Sequence, residues 1–231
     1  MAPMSLFRAE HISVSYRRGG EAVPLVRDAS FGLEAGCVYD LTGPSGSGKS
    51  TLLRACALML ARDGGEFFLD DRPSLAFKPV EWRRQVCLVP QQSALVVGTV
   101  RDNLVLPWKL KANAGSAPPG DDELERLLEA VELDDVGLSR DASQLSGGQA
   151  ARVALLRAFA TRPRVLLLDE VDAALDDGSA LAVGLLTRRL ADERTTCLRI
   201  RHRASDGFAS GVFALDGGTL SFSPAGKGVR P

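Results

Sequence analysis

The stretch GPSGSGKST, residues 43–51, decides how the rest of the chain is read. It follows CVYDLT (37–42), a short strand signal. It opens onto TLLRACALML, apolar almost all round, which predicts a buried helix over 49–61. A glycine-rich turn between strand and helix that fits GxxxxGK[ST] is a phosphate cradle in the context that pattern requires. Gly43, Gly46 and Gly48 let the loop, with Pro44, Ser45 and Ser47, turn its backbone N–H groups inward around phosphate oxygens. Lys49 supplies a point charge for β- and γ-phosphates, and Ser50 offers a hydroxyl to Mg²⁺. Thr51 completes the motif at the helix start, whose partial positive charge favours an anion.

A second glycine turn, LSGGQ (145–149), lies 96 positions beyond Lys49. Ser146 can cap a helix or aim its hydroxyl at an anion. Gly147 and Gly148 leave backbone N–H groups open, and the helix signal AARVALLRAFATR behind them carries a dipole. Leu145 and Gln149 flank this turn. On these residues alone an ordinary capped helix explains the stretch as well. VLLLDE (165–170) reads as a buried parallel strand ending in two acids. Beside a phosphate loop, the first acid, Asp169, stands where a Mg²⁺ partner belongs. Glu170 is a candidate to polarise an attacking water. Without the loop, the pair would read as a solvated strand end.

Further strand signals are HISVSY (11–16), EFFLD (66–70), QVCLVP (85–90), TTCLRI (195–200), GVFAL (211–215) and TLSFS (219–223). Asp63, Gly64 and Gly65 are read as ending the first helix. From about residue 91 the pattern turns helical: Leu124, Leu127, Leu128 and Val131 share one helix face, after a loop ANAGSAPPG (112–120). A further helix is expected over 181–190. Strands alternating with helices predict an α/β sheet. The 231 residues suit one domain, with a core from about 1–92 and 151–231 and a helical insertion at about 93–150.

The formal charge of −1 gives no basic surplus for nucleic acid. The longest apolar run is about seven residues, where a bilayer span needs roughly twenty. The start, MAPMSLFRAEH, lacks a signal-peptide pattern. Cys37, Cys56, Cys87 and Cys197 form no CxxC pair and read as packing residues in a reducing cytosol. His11 reads as a structural strand residue.

Together these motifs, in this order, resemble the ATP-binding subunit of ABC transporters over nearly the whole chain. The resemblance implies an α/β fold: a P-loop NTPase (RecA-like) core with N-terminal antiparallel β-strands and an inserted α-helical signature subdomain. It implies a Mg²⁺-dependent ATPase. Tyr16 resembles the aromatic that stacks on adenine, and Gln91 in VPQQ the glutamine that senses γ-phosphate and Mg²⁺. His202 resembles the switch histidine that holds the γ-phosphate, and Asp176 in VDAALD the acid of the loop after the catalytic glutamate. The resemblance also answers why there are two glycine turns. Two such subunits pair head to tail, so that Leu145, Ser146, Gly147, Gly148, Gln149 and Asp176 meet the ATP held by the other copy.

A membrane permease is the implied partner, docking near residues 91–110, and the implied place is the cytoplasmic face of the cell membrane. TVRDNLVLPWKLK (99–111) is similar to the small bacterial Fet/Ybb-type ATPases assigned to iron export. A rival within the family is a non-transport ATPase acting as a mechanochemical clamp. The single nucleotide domain, the missing coiled-coil insertion and the charge balance weigh against it. A P-loop kinase requires neither LSGGQ nor a switch histidine. Three departures stand out: VDAALD where PTSALD is usual, RIRHRA around His202, and Asp40 inside an otherwise apolar strand.

Overall fold

The computed structural model describes residues 5–18, 21–91, 94–113, 115–173 and 175–225. In chain order its strands are β1 (Phe7–Arg18), β2 (Glu21–Leu33), β3 (Val38–Thr42), β4 (Gly64–Leu69), β5 (Arg72–Pro73), β6 (Val86–Val89), β7 (Val165–Asp169), β8 (Thr196–Ile200), β9 (Gly211–Asp216) and β10 (Thr219–Pro224). Its helices are α1 (Lys49–Cys56), α2 (Pro79–Gln85), α3 (Val100–Leu104), α4 (Asp121–Glu129), α5 (Gly147–Phe159) and α6 (Asp177–Leu190). An antiparallel sheet has the order β2-β1-β4-β5. A second sheet runs β10-β9-β3-β8-β7-β6, parallel except for β10.

The central strands β3, β8 and β7 are buried on both faces, which is why β7 reads as a continuous apolar run. Successive side chains of β7 alternate between two cores. Leu167 joins Phe7, Leu41, Leu52, Phe67 and Trp82 between the two sheets and α1. Leu166 and Leu168 join Leu104, Leu124, Leu128, Val153 and Leu186 under α3–α6. Trp108 packs, partly exposed, against this second core. Trp82 is fully buried, and its indole Nε1 donates to the Cys56 carbonyl at 2.8 Å, tying α2 to the end of α1.

Three expectations are corrected. The helix predicted over 49–61 stops at Cys56, because Leu58 adopts a left-handed backbone (φ 53°) and Met59 and Leu60 turn outward. Gly64 and Gly65 then open β4 instead of closing a helix. HISVSY is the middle of a longer β1, paired with a 13-residue β2 that the sequence did not announce. His11 is exposed at a bulge, its backbone left-handed (φ 55°) and its Nδ1 2.7 Å from Asp28 Oδ1.

Candidate functional site

The chain leaves β3 at Thr42 and wraps through residues 43–48 before α1 begins. Gly43 is required by space: a Cβ there would lie 2.2 Å from the Leu215 carbonyl oxygen. Gly48 has φ 103°, and a Cβ would meet Leu25 at 2.9 Å. Lys49 is only 5% exposed, and its Nζ donates to the carbonyls of Gly43 and Pro44, both at 2.9 Å. The cation therefore rests inside its own loop, within reach of anything that loop encloses. Ser47 Oγ is buried with no hydrogen-bond partner among the described residues. An orphan hydroxyl in this place suits a phosphate oxygen.

The apolar run of β7 delivers two acids to the same spot. Asp169, 4% exposed, accepts a hydrogen bond from Ser50 Oγ at 2.7 Å across 119 residues of sequence. Glu170 takes a left-handed backbone (φ 52°) as the chain leaves the sheet. Its Oε1 lies 2.8 Å from His202 Nε2, and its Oε2 accepts from Gln91 Nε2 at 3.1 Å. Lys49, Ser50, Asp169, Glu170, Gln91 and His202 thus form one cluster at the C-terminal ends of the parallel strands. That is where ligands sit in such sheets.

LSGGQ does not join this cluster: no hydrogen bond among the described residues links it to residues 43–51. Ser146 caps α5, accepting from Gln149 N–H at 3.2 Å, while its own N–H donates to Gln149 Oε1 at 3.0 Å. Gln149 Nε2 reaches Asp135 at 3.1 Å, and Leu145 packs against the second core. Gly147 faces open space. Gly148 does not: a Cβ there would lie 2.2 Å from Ser179 Oγ, so the turn is wedged against the start of α6. Asp176 caps that helix, and the Ser179 backbone N–H holds its carboxyl below the usual range. Tyr16 is 39% exposed on β1.

A group of charges that the motifs missed lies beneath the cluster. Arg199 on β8 donates from Nε to Asp40 on β3 at 2.5 Å and from Nη2 to Asp206 at 2.7 Å. Arg201 donates from Nε to Asp172 at 3.0 Å, and its Nη1 lies 2.7 Å from Asp206 Oδ2. All five side chains are buried. Burial would raise the Asp206 carboxyl, but the Arg199 hydrogen bond and charge outweigh it and hold it below its usual range. Asp40, the misfit in an apolar strand, is thereby explained. The signal that could have found the pair is Arg199 in TTCLRI, 159 positions away.

The family model described as ABC transporter matches residues 26–173, spanning the phosphate loop, Gln91, LSGGQ, Asp169 and Glu170. The chain belongs to the ABC transporter family. Within that family it is an ATP-binding cassette, an ABC-type ATPase. It is 34% identical to YjkB of Bacillus subtilis over 201 residues, which cover 87% of this chain and 77% of that one. It is 34% identical to the Escherichia coli "Probable iron export ATP-binding protein FetA" over 182 residues, 79% of this chain and 78% of that one. An ATP-dependent lipid A-core flippase of Xanthomonas euvesicatoria is also 34% identical, over 91% of this chain, which spans only 36% of the flippase. Equal identities across these relatives leave the iron-export sub-family without specific support.

Among solved ABC structures, a nucleotide-free ATP-binding cassette superposes with a TM-score of 0.79 at 24% identity, covering 96% of this chain and 92% of that one. The dimeric cassette MJ0796 bound to ADP and Pi gives 0.78 at 24%, covering 94% and 98%. The ABC cassette fold, antiparallel sheet beside a parallel core, is therefore the fold expected from the sequence.

Proposed function

We propose that this chain uses the cluster around Lys49 and Glu170 to bind and hydrolyse Mg²⁺-ATP, and that it does so as a head-to-tail homodimer driving a membrane permease. The observation that carries the reading is the pair of hydrogen-bonded groups Ser50–Asp169 and Gln91–Glu170–His202, on adjacent acids beside a phosphate loop. Ser50 and Asp169 are paired hard oxygen donors of the kind Mg²⁺ takes, with Gln91 nearby as a third. Bound there, the ion would neutralise charge on the β- and γ-phosphate oxygens.

The chain's own groups do the rest. Lys49 exchanges its loop carbonyls for phosphate oxygens, and the orphan Ser47 hydroxyl gains a partner. Glu170 takes the proton of the attacking water, and His202 holds both that carboxylate and the γ-phosphate. Tyr16 offers an exposed ring to adenine.

The signature turn serves the other subunit. The dimeric state of MJ0796 supports this, as does the open space at Gly147. The core from about 1–92 and 151–231 and the helical lobe at about 93–150 are the two parts that a closing dimer moves; the boundary residues 92–93 lie outside the described residues.

For the permease, a cleft of about 590 Å³ lies beside the segment 91–110, lined by Cys87, Leu88, Val89, Pro107 and Leu110, with Arg157 at its wall. Exposed Val96 and Val97 stand next to it in sequence. Among the described residues no helix is long and apolar enough to cross a membrane. The reading has the chain held on the cytoplasmic membrane face by its permease, with no nucleic-acid partner. The transported substrate, iron included, is left open.

Phosphate release from Mg²⁺-ATP by the purified chain, alone and co-expressed with a candidate permease, tests this. Hydrolysis with membrane retention through a salt wash is expected. An inert chain that stays in the soluble fraction beside a correctly inserted permease would overturn the transport reading.

A further inference from the structure

His202 stands on a segment whose two neighbours are both fastened. On one side, Arg201 forks to Asp172 and Asp206. On the other, Arg203 donates to Asp177 Oδ1 at 2.6 Å and to the Leu175 carbonyl. Arg199, two residues before Arg201, reaches Asp40 and the same Asp206. Apart from the shared Asp206, each partner carboxylate stands on a piece of chain that carries part of the nucleotide site. Asp40 lies on β3, which runs into the phosphate loop. Asp172 is two residues beyond Glu170. Asp177 opens α6, directly after the cap Asp176.

Stability alone does not favour such an arrangement. Desolvating five charged side chains is costly, and apolar residues of similar volume commonly fill such a layer at least as well. What charges add is geometry. A guanidinium is a rigid planar fork that fixes the spacing of two carboxylates, which an ammonium cannot do. The helix behind the network is shaped to admit it: a Cβ at Gly184 of α6 would come within 2.7 Å of Asp206 Oδ2. Arg201 Nη1 and Asp206 Oδ2 face each other at 2.7 Å without well-aligned hydrogen-bond geometry, so this contact holds by charge and leaves no room for a bulkier neighbour.

We propose that Arg201, locked between Asp172 and Asp206, is a positioning residue that sets where His202 stands against Glu170. Arg201 touches no nucleotide in this scheme. It acts through its neighbour, and the contact it governs is the 2.8 Å approach of His202 Nε2 to Glu170 Oε1. The inference rests on the reading of His202 and Glu170 as the pair that handles the γ-phosphate. Because the Arg201 fork also grips the segment following Glu170, it keeps both members of that pair in one frame. A misplacement of about 1 Å at a reacting group can cost on the order of a hundredfold in rate.

The test measures kcat and KM for ATP of the full chain, with thermal unfolding as a check on the fold. Arg201→Lys keeps the charge and the stem but loses the fork. It is expected to lower kcat about tenfold or more while KM and nucleotide affinity change by less than about twofold. Gly184→Ala, which crowds Asp206 without removing any charge, should give the same split. Arg201→Met with Asp172→Leu removes Arg201 together with one of its carboxylates, leaves Asp206 paired with Arg199, and should fold, yet remain slow. A folded Arg201→Lys with wild-type kcat overturns the proposal. So does a fall in kcat matched by lost ATP binding. If none of the three variants folds, the network is structural and the proposal is wrong. His202→Ala separates the levels: if it is slow while Arg201→Lys is fast, only the positioning inference fails. If His202→Ala hydrolyses at the wild-type rate, the reading of His202 itself fails.

Discussion

Nε2 of His202 lies 2.8 Å from one oxygen of Glu170, and the side-chain amide of Gln91 occupies the other. The carboxylate is thus aimed from both sides, as a proton acceptor should be. Glu170→Gln keeps the shape and removes the acceptor. Hydrolysis should slow by about 10²-fold or more, with ATP still bound. Phosphate release and nucleotide binding measured side by side check this, and an unchanged rate would remove Glu170 from the role.

Lys49 is nearly buried on the carbonyls of its own loop. Lys49→Ala takes away the charge that a phosphate would meet. A charge-assisted contact is worth roughly 1.5–3 kcal/mol, so ATP affinity should fall about 10- to 100-fold by calorimetry. Affinity within twofold of the parent would mean that the phosphates sit elsewhere.

If the second glycine turn faces a partner's nucleotide, Ser146→Arg should block dimers without touching the monomer's own binding. In Glu170→Gln, where ATP persists, light scattering should find an ATP-dependent doubling of mass. The same background carrying Ser146→Arg should stay monomeric. Equal dimer in both would end the trans assignment of LSGGQ.

Three capping carboxylates give a pH signature. Asp102 is drawn down to about 2, first by the Thr99 backbone N–H, and Asp141 is lowered by the Ser143 hydroxyl. Asp176 is lowered by the Ser179 backbone N–H. In the folded chain these groups keep their charge where the unfolded chain, with ordinary values near 3.8, takes up protons. Their contribution is present above the ordinary value near 3.8 and is lost as pH falls below it, for Asp102 down to about 2. Urea midpoints should therefore drop between about pH 4 and pH 2, and by less in Asp102→Asn. An identical drop in that variant would exclude Asp102 as a contributor.

The phosphate loop and β7 were legible because their chemistry is local: spacing, glycine positions and a run of buried aliphatics. The helix face of Leu124 and Leu128 was legible for the same reason. β2 was not, since EAVPLVRDASFGL contains a proline and its bulge with β1 leaves His11 and Asp28 with left-handed backbones that break the alternation. The early end of α1 was also hidden, because nothing apolar distinguishes Leu58 from a helical leucine. Asp40 stood out as a misfit, but its partner Arg199 did not, since only folding brings residues 159 positions apart into one ion pair.

The chain's two tryptophans stand in unlike surroundings. Trp82 is sealed in the core with its indole N–H on the Cys56 carbonyl. Trp108 follows Pro107, which lines the cleft, and packs against the second core while staying partly open to water. Their light should differ in colour: a blue emission deaf to added iodide from the first, and a redder, quenchable one from the second. A Trp82→Phe chain would then carry an unlabelled optical probe at the cleft's edge, and Trp108→Phe would leave a lamp at the far end of the helix that begins on the phosphate loop.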